Sequence, residues 1–265
     1  SYRASEEPKR SDFITLAAAV VFVYPQAKGR LPWTNALARA YDKVTVIKYT
    51  APSSWRCTLL LTDELIKVGS WRRGAGLCLQ FCTGLRPGEL LKVQRKDLLF
   101  SSSSATRQAV TIRIKRSKVG RQQVAQLYYD ESPRVFEVLA TWARRAADDE
   151  LLVDCTYERF RVSLAKACRT IGLTTIFTPH SGRAGFATSR YVEGGDPATI
   201  QLRGRWAHQT SFIRYLDVAA AALVDASACV DRTWTVKRKS EAEILRSLHD
   251  AASRSIRPRK QVASR

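Results

Sequence analysis

The hydrophobic period of this 265-residue chain changes in one place, and that change limits the fold. In "AVTIRIK" (109–115) Val110, Ile112 and Ile114 alternate with polar neighbours, as a half-buried strand requires. "RSKVG" follows as a turn ending in Gly120, and "RQQVAQLYY" (121–129) reads as the return strand. The pair predicts a β-hairpin with lysines at its tip. The polar loop "SSSSATRQ" (101–108) separates it from "DLLF". Nearly everything else carries helical spacing. The expected class is mainly α with a small antiparallel β-sheet (α+β).

The helical text divides into segments. Residues 1–50 read as a small helical piece: "SDFITLAAAVVFVY" is apolar, "KGRLPW" breaks it, and "TNALARAYDKV" resumes through Leu37, Ala40 and Tyr41. "KYTAPSSW" (48–55) is a linker. "TDELIKVGSWRRGAGLCLQFCTG" (62–84) predicts one helix with Thr62 or Asp63 as N-cap and Gly84 as its stop. A short helix follows in "PGELLKVQ", with Pro87 in the first turn. Beyond the hairpin, helices are expected over 133–147, 157–171, 181–193, 197–203 and 209–230. A basic tail, 236–265, carries a further helix near 240–252 and either follows DNA phosphates or stays unfolded. There is no internal repeat.

The apolar run 13–24 is too short to cross a bilayer as a helix, so no membrane association is expected. The mixed charge of "EEPKRSD" before it argues against a signal peptide and for a buried helix. The six cysteines, Cys57, Cys78, Cys82, Cys155, Cys168 and Cys229, show neither C-x-x-C spacing nor histidines that would complete a zinc site. They predict reduced, mostly buried thiols in an intracellular, reducing compartment, cytoplasm or nucleus. The start at Ser1 and the absence of methionine predict a fragment or processed product.

The 44 Lys+Arg against 24 Asp+Glu give a net charge of +20. Such an excess attracts polyanions, nucleic acid first among them. Many arginines interleave with apolar residues, which predicts a folded basic surface.

Four islands carry candidate chemistry. In "TGLRPGELL" Arg86 precedes a short helix with Glu89 one turn on; the arginine can offer a two-pronged guanidinium to phosphate, or merely pair with Glu89 on the surface. In the hairpin, Lys118 sits at the turn and Lys115 at the strand end, where a lysine can reach a DNA groove, protonate a leaving oxygen, or stay solvated. In "TPHSGRAGFAT", His180 and Arg183 lie one turn apart at a helix start and can face one anion. In "RGRWAHQTSFIRYLD", Trp206 and Tyr215 are flanked by Arg203, Arg205 and Arg214; both aromatics can be core residues, yet an indole N–H also suits a phosphate oxygen.

The ordered set Arg86, Lys118, His180-x-x-Arg183, Trp206, Tyr215 resembles the signature of the tyrosine recombinase (phage integrase) family over about residues 60–217, and 1–50 resembles a partial, truncated core-binding domain of that family. "TGLRPGEL" matches the first family box closely and "PHSGR" resembles the second. The chain departs in placing Trp206 where most members have histidine, in having Arg205 between Gly204 and Trp206, and in having Ala184 after Arg183. The resemblance implies a catalytic domain over 56–230 that cleaves and rejoins DNA through a covalent 3′-phosphotyrosine, without metal, ATP or other cofactor. Tyr215 is then the nucleophile, His180 its proton acceptor, Arg86 and Arg183 the phosphate clamp, and Lys118 the general acid, with Lys115 the second choice. Trp206 donates one hydrogen bond, and Glu89 orients Arg86. Lys115, Arg116, Arg121, Arg203 and Arg205 are the expected DNA-binding residues. The implied partners are double-stranded DNA and three further copies, a homo-tetramer on two duplexes joined through the 216–230 helix. Two alternatives share these residues: a type IB topoisomerase, and a catalytically decayed, DNA-binding relic of a mobile element. His208 lies two residues past the matching position, so His208→Ala is expected to be close to neutral for cleavage.

Overall fold

The computed structural model describes residues 10–34, 36, 50–101, 106–115, 123–216 and 239–254. The chain divides into two compact units, Ser1–Lys48 and Tyr49–Arg265. In the first, α1 (Arg10–Val23) ends before a short 3-10 turn at Pro25–Ala27. The sequence predicts α1 to be buried, yet none of its residues from 14 to 23 is, and Phe22 is 87% exposed. Most of "TNALARAYDKV" lies outside the described residues.

The second unit opens with α2 (Trp55–Lys67) and α3 (Trp71–Thr83). One helix was expected from 62 to 84; two are found. Gly69 turns the chain at φ +71 between them, and Ser70 N–H bonds back to the Leu65 carbonyl. The N-cap is Ser54, whose side chain accepts the Cys57 N–H, while Thr62 and Asp63 are buried inside α2. Gly84 does end α3, at φ 63 in the left-handed region. A β-carbon there would meet the Phe186 ring at 2.7 Å. The short α4 (Pro87–Leu90) follows at once.

Strands β1 (Leu98–Phe100), β2 (Ala109–Ile114) and β3 (Gln123–Tyr128) form an antiparallel sheet in the order β1-β2-β3. Val110 faces Leu127, and Ile112 faces Ala125 and Leu98 across the ladders. All five are buried, so the alternation in the sequence is the alternation of the sheet. The hairpin tip, 116–122, with Arg116, Lys118 and Arg121, lies outside the described residues.

Helices α5 (Pro133–Ala143), α6 (Tyr157–Thr170), α7 (Ser181–Val192), α8 (Pro197–Gly204) and α9 (Gln209–Ile213) complete the layer around α2 and α3. The helix expected over 209–230 stops at Ile213, and residues 214 and 215 form a turn. Its remainder from 217 lies outside the described residues, as does Cys229. Cys57, Cys78, Cys82 and Cys168 are buried, and Cys155 is half-buried.

The helix expected near 240–252 in the 236–265 tail is present, but it packs into the core rather than staying free. Helix α10 (Glu241–Arg254) sets Ile244, Leu245, Leu248 and Ala252 into the main core. Four side chains on one helical face remove enough apolar surface from water to hold the helix. Trp55 Nε1 donates to Glu241 at 2.8 Å, and Lys239 pairs with Asp63 at 2.9 Å, fixing its near end. Among the described helices, none is long and apolar enough to cross a membrane.

Candidate active site

A second, smaller core lies beneath these islands: Phe186, Ala187, Ile200, Trp206 and Phe212, with Tyr215 and Leu216 packed at its edge. It places α7, α8 and α9 so that their polar groups meet the α3–α4 turn.

Gly84 starts the construction. Its left-handed turn exposes a carbonyl that accepts Arg183 Nη1. Arg183 is 1% exposed, and its Nη2 has no partner among the described residues. The guanidinium lies 3.9 Å from the Trp206 ring centroid and 5.7 Å from that of Tyr215. Burial, then the charges of Arg86 and Arg205, pushes its pKa down to about 9. It therefore stays cationic at neutral pH, and a buried cation with an unused donor favours an anionic ligand.

Arg86 caps α4. Its backbone N–H donates to Glu89 Oε2 at 2.9 Å, its Nη1 to Glu89 Oε1 at 2.7 Å, and its Nη2 to the Arg205 carbonyl at 3.0 Å. The Glu89 side chain is 5% exposed, so the pair is not the surface ion pair that spacing alone allows. Burial raises the Glu89 carboxyl, but Arg205 and Arg86 outweigh it and hold the pKa below the usual carboxylate range.

His180 precedes α7 and is half-buried. Burial, reinforced by Arg183 and Arg86, keeps its imidazole below the ordinary 6.5. The ring is neutral at pH 7 and so able to accept a proton.

Trp206 is 6% exposed and its Nε1 is buried without a partner among the described residues. It packs at 5.3 Å from both Phe212 and Tyr215. Its ring is therefore part of the smaller core, and its Nε1 is a donor without a partner among the described residues. Tyr215 is half-buried, and its carbonyl accepts the Thr188 hydroxyl at 2.7 Å, a tie from α7 that no sequence pattern announces.

Arg86, Glu89, His180, Arg183, Trp206 and Tyr215 are thus brought together. Lys118 falls outside the described residues. Lys115 is bound to Asp97 at 2.9 Å and to Gln94 at 3.1 Å. Two residues expected to contact DNA are engaged within the protein. Arg205 has a side chain only 6% exposed, paired with Glu89 at 2.8 Å beneath the site, because a charge leaving water needs a buried counter-charge. Arg203 spends both terminal nitrogens on Glu131, at 3.0 and 2.9 Å. Glu131 was missed: in the turn after β3, it also binds Arg190 of α7 at 2.7 Å and Arg107 before β2 at 3.0 Å, joining these to α8. His208 is exposed.

The phage integrase family profile matches residues 59–222. No curated protein matches the chain in sequence. The structure is similar to that of the XerH site-specific recombinase bound to a palindromic difH substrate after cleavage, at 18% identity and a TM-score of 0.52. That match covers 70% of this chain but 54% of XerH, so the chain spans about half of that recombinase. XerA recombinase aligns over 89% of this chain and 87% of its own, at 18% identity and a TM-score of 0.49. Because that profile covers more than half of the 265 residues, the chain belongs to the phage integrase family, the tyrosine recombinases.

Proposed function

We propose that this chain is a site-specific DNA recombinase or integrase that cuts and rejoins strands of double-stranded DNA through Tyr215. The observation that carries the reading is the pair of unused buried donors, Arg183 Nη2 and Trp206 Nε1, beside the Tyr215 ring. Donors fixed in a dry site stabilise charge that develops on phosphate oxygens in the transition state.

Tyr215 Oη attacks phosphorus and its proton passes to His180. A P–O bond to tyrosine forms as the P–O5′ bond breaks, leaving a 3′-phosphotyrosine and a 5′-hydroxyl. Lys118 gives its proton to the leaving oxygen. Lys115, tied to Asp97 and Gln94, is the weaker choice for this role. Arg86 and Arg183 hold the non-bridging oxygens. The phosphodiester energy stays in the protein–DNA link, so a second 5′-hydroxyl reseals the strand without ATP, and neither step uses a metal.

The unit 1–48 serves as a partial core-binding domain, and four protomers act on two duplexes through the 216–230 segment. The buried cysteines favour an intracellular, reducing compartment. A nicked suicide DNA tests the reaction: the wild type traps a covalent adduct and Tyr215→Phe traps none. An adduct that persists in Tyr215→Phe removes the nucleophile assignment, and no adduct with the wild type makes the chain a decayed DNA-binding relic.

A further inference from the structure

Arg205 is the described non-glycine residue with positive φ, at φ 58, ψ 41. An arginine gains nothing from the left-handed region, so its surroundings must hold it there. One of those surroundings is Arg86 and another is its partner Glu89. The Arg205 carbonyl accepts Arg86 Nη2 at 3.0 Å, and Arg205 Nη2 takes Glu89 Oε2 at 2.8 Å. The other oxygen, Oε1, goes to Arg86 Nη1 at 2.7 Å. One carboxylate is therefore divided between two guanidiniums, one oxygen each.

The division matters because an arginine beside a free carboxylate closes a two-pronged fork on it. If Arg205 did not occupy Oε2, Arg86 would be drawn onto both oxygens and its donors would turn from the cleft. The left-handed turn also leads the chain directly into Trp206, so the same residue sets where the indole N–H emerges.

We propose that Arg205 is a positioning residue, which holds Arg86 aimed at the phosphate by occupying half of Glu89 and by offering Arg86 its own carbonyl. The inference rests on the phosphate site proposed above, but its structural half stands apart from catalysis. Arg205→Gly is the informative change, because glycine keeps the backbone turn and the carbonyl and removes only the guanidinium.

Arg205→Gly in the full chain is expected to stay folded and to bind uncleaved DNA within about two-fold of wild type. Its adduct formation on the suicide DNA should slow about 10- to 100-fold, the range a misplaced clamp produces. Adding Glu89→Gln should return about ten-fold of that loss, since a neutral amide no longer captures Arg86, whereas a purely structural role predicts a further loss. A crystal structure of Arg205→Gly should show Arg86 on both Glu89 oxygens. Cleavage at the wild-type rate, or a slow variant with Arg86 unmoved, overturns the inference. If the wild type itself forms no adduct, the proposed reaction fails, and the position of Arg86 in the variant structure still decides the role of Arg205.

Discussion

Glu131 joins three elements through charge alone, so neutralising it tests how much that junction holds. Its side chain is 19% exposed and accepts Arg203 through both oxygens, with Arg190 at 2.7 Å and Arg107 at 3.0 Å. Burial works to raise its carboxyl, but Arg203 and Arg190 prevail and hold the pKa at about 2, against an ordinary 4.5. At about 1.4 kcal/mol per unit that shift corresponds to roughly 3 kcal/mol, and partial exposure discounts it to about 2–3 kcal/mol. Glu131→Gln should therefore lower the melting temperature at pH 7 by about 4–12 °C for a unit of this size. The sign with pH follows from the depressed pKa. The contribution is complete above the unfolded value of 4.5 and disappears as pH falls through the folded value of about 2. Urea midpoints of wild type and Glu131→Gln should thus lie apart at neutral pH and converge toward pH 2. Equal midpoints at pH 7, or a gap unchanged at low pH, would refute the electrostatic account.

Leu248→Ala should cost about 2–5 kcal/mol, read from urea unfolding, because Leu248 is fully buried in the main core rather than carried on a loose tail. In Gly84→Ala the left-handed φ and the 2.7 Å approach of Phe186 should together cost about 2–4 kcal/mol and slow adduct formation by moving the carbonyl that holds Arg183. The rate of adduct formation should rise with pH through a His180 pKa below 6.5 and be level by pH 7; a rate still climbing through pH 8 points to another base.

The hairpin was legible because strand alternation needs only local text: Val110, Ile112 and Ile114 point inward wherever the sheet packs. The candidate site residues were picked out as an ordered set through their resemblance to a family signature, and the structure brings Arg86, Arg183, Trp206 and Tyr215 near one another. The break at Gly69 was not, because one glycine inside helical spacing is weak punctuation and the apolar pattern continues on both sides. The fate of Arg205 was beyond reach for another reason. Its counter-charge, Glu89, stands 116 residues earlier, and burial of a charge is decided by that distant partner. Likewise the 236–265 stretch reads as a basic tail with a helix near 240–252, and only the spacing of Ile244, Leu248 and Ala252 hints that this helix docks.

The docking of α10 sets an order of events for the newly made chain. Trp55, at the start of the catalytic unit, bonds to Glu241, 186 residues later, and the core between them includes Leu245 and Leu248. Contacts so far apart in sequence close late, since loop-closure entropy is met before they form. A chain still being synthesised can hold Arg86, His180 and Tyr215 yet lack the helix that completes their scaffold. Completion of the main core is thereby deferred until α10 has been made, a consequence of topology alone.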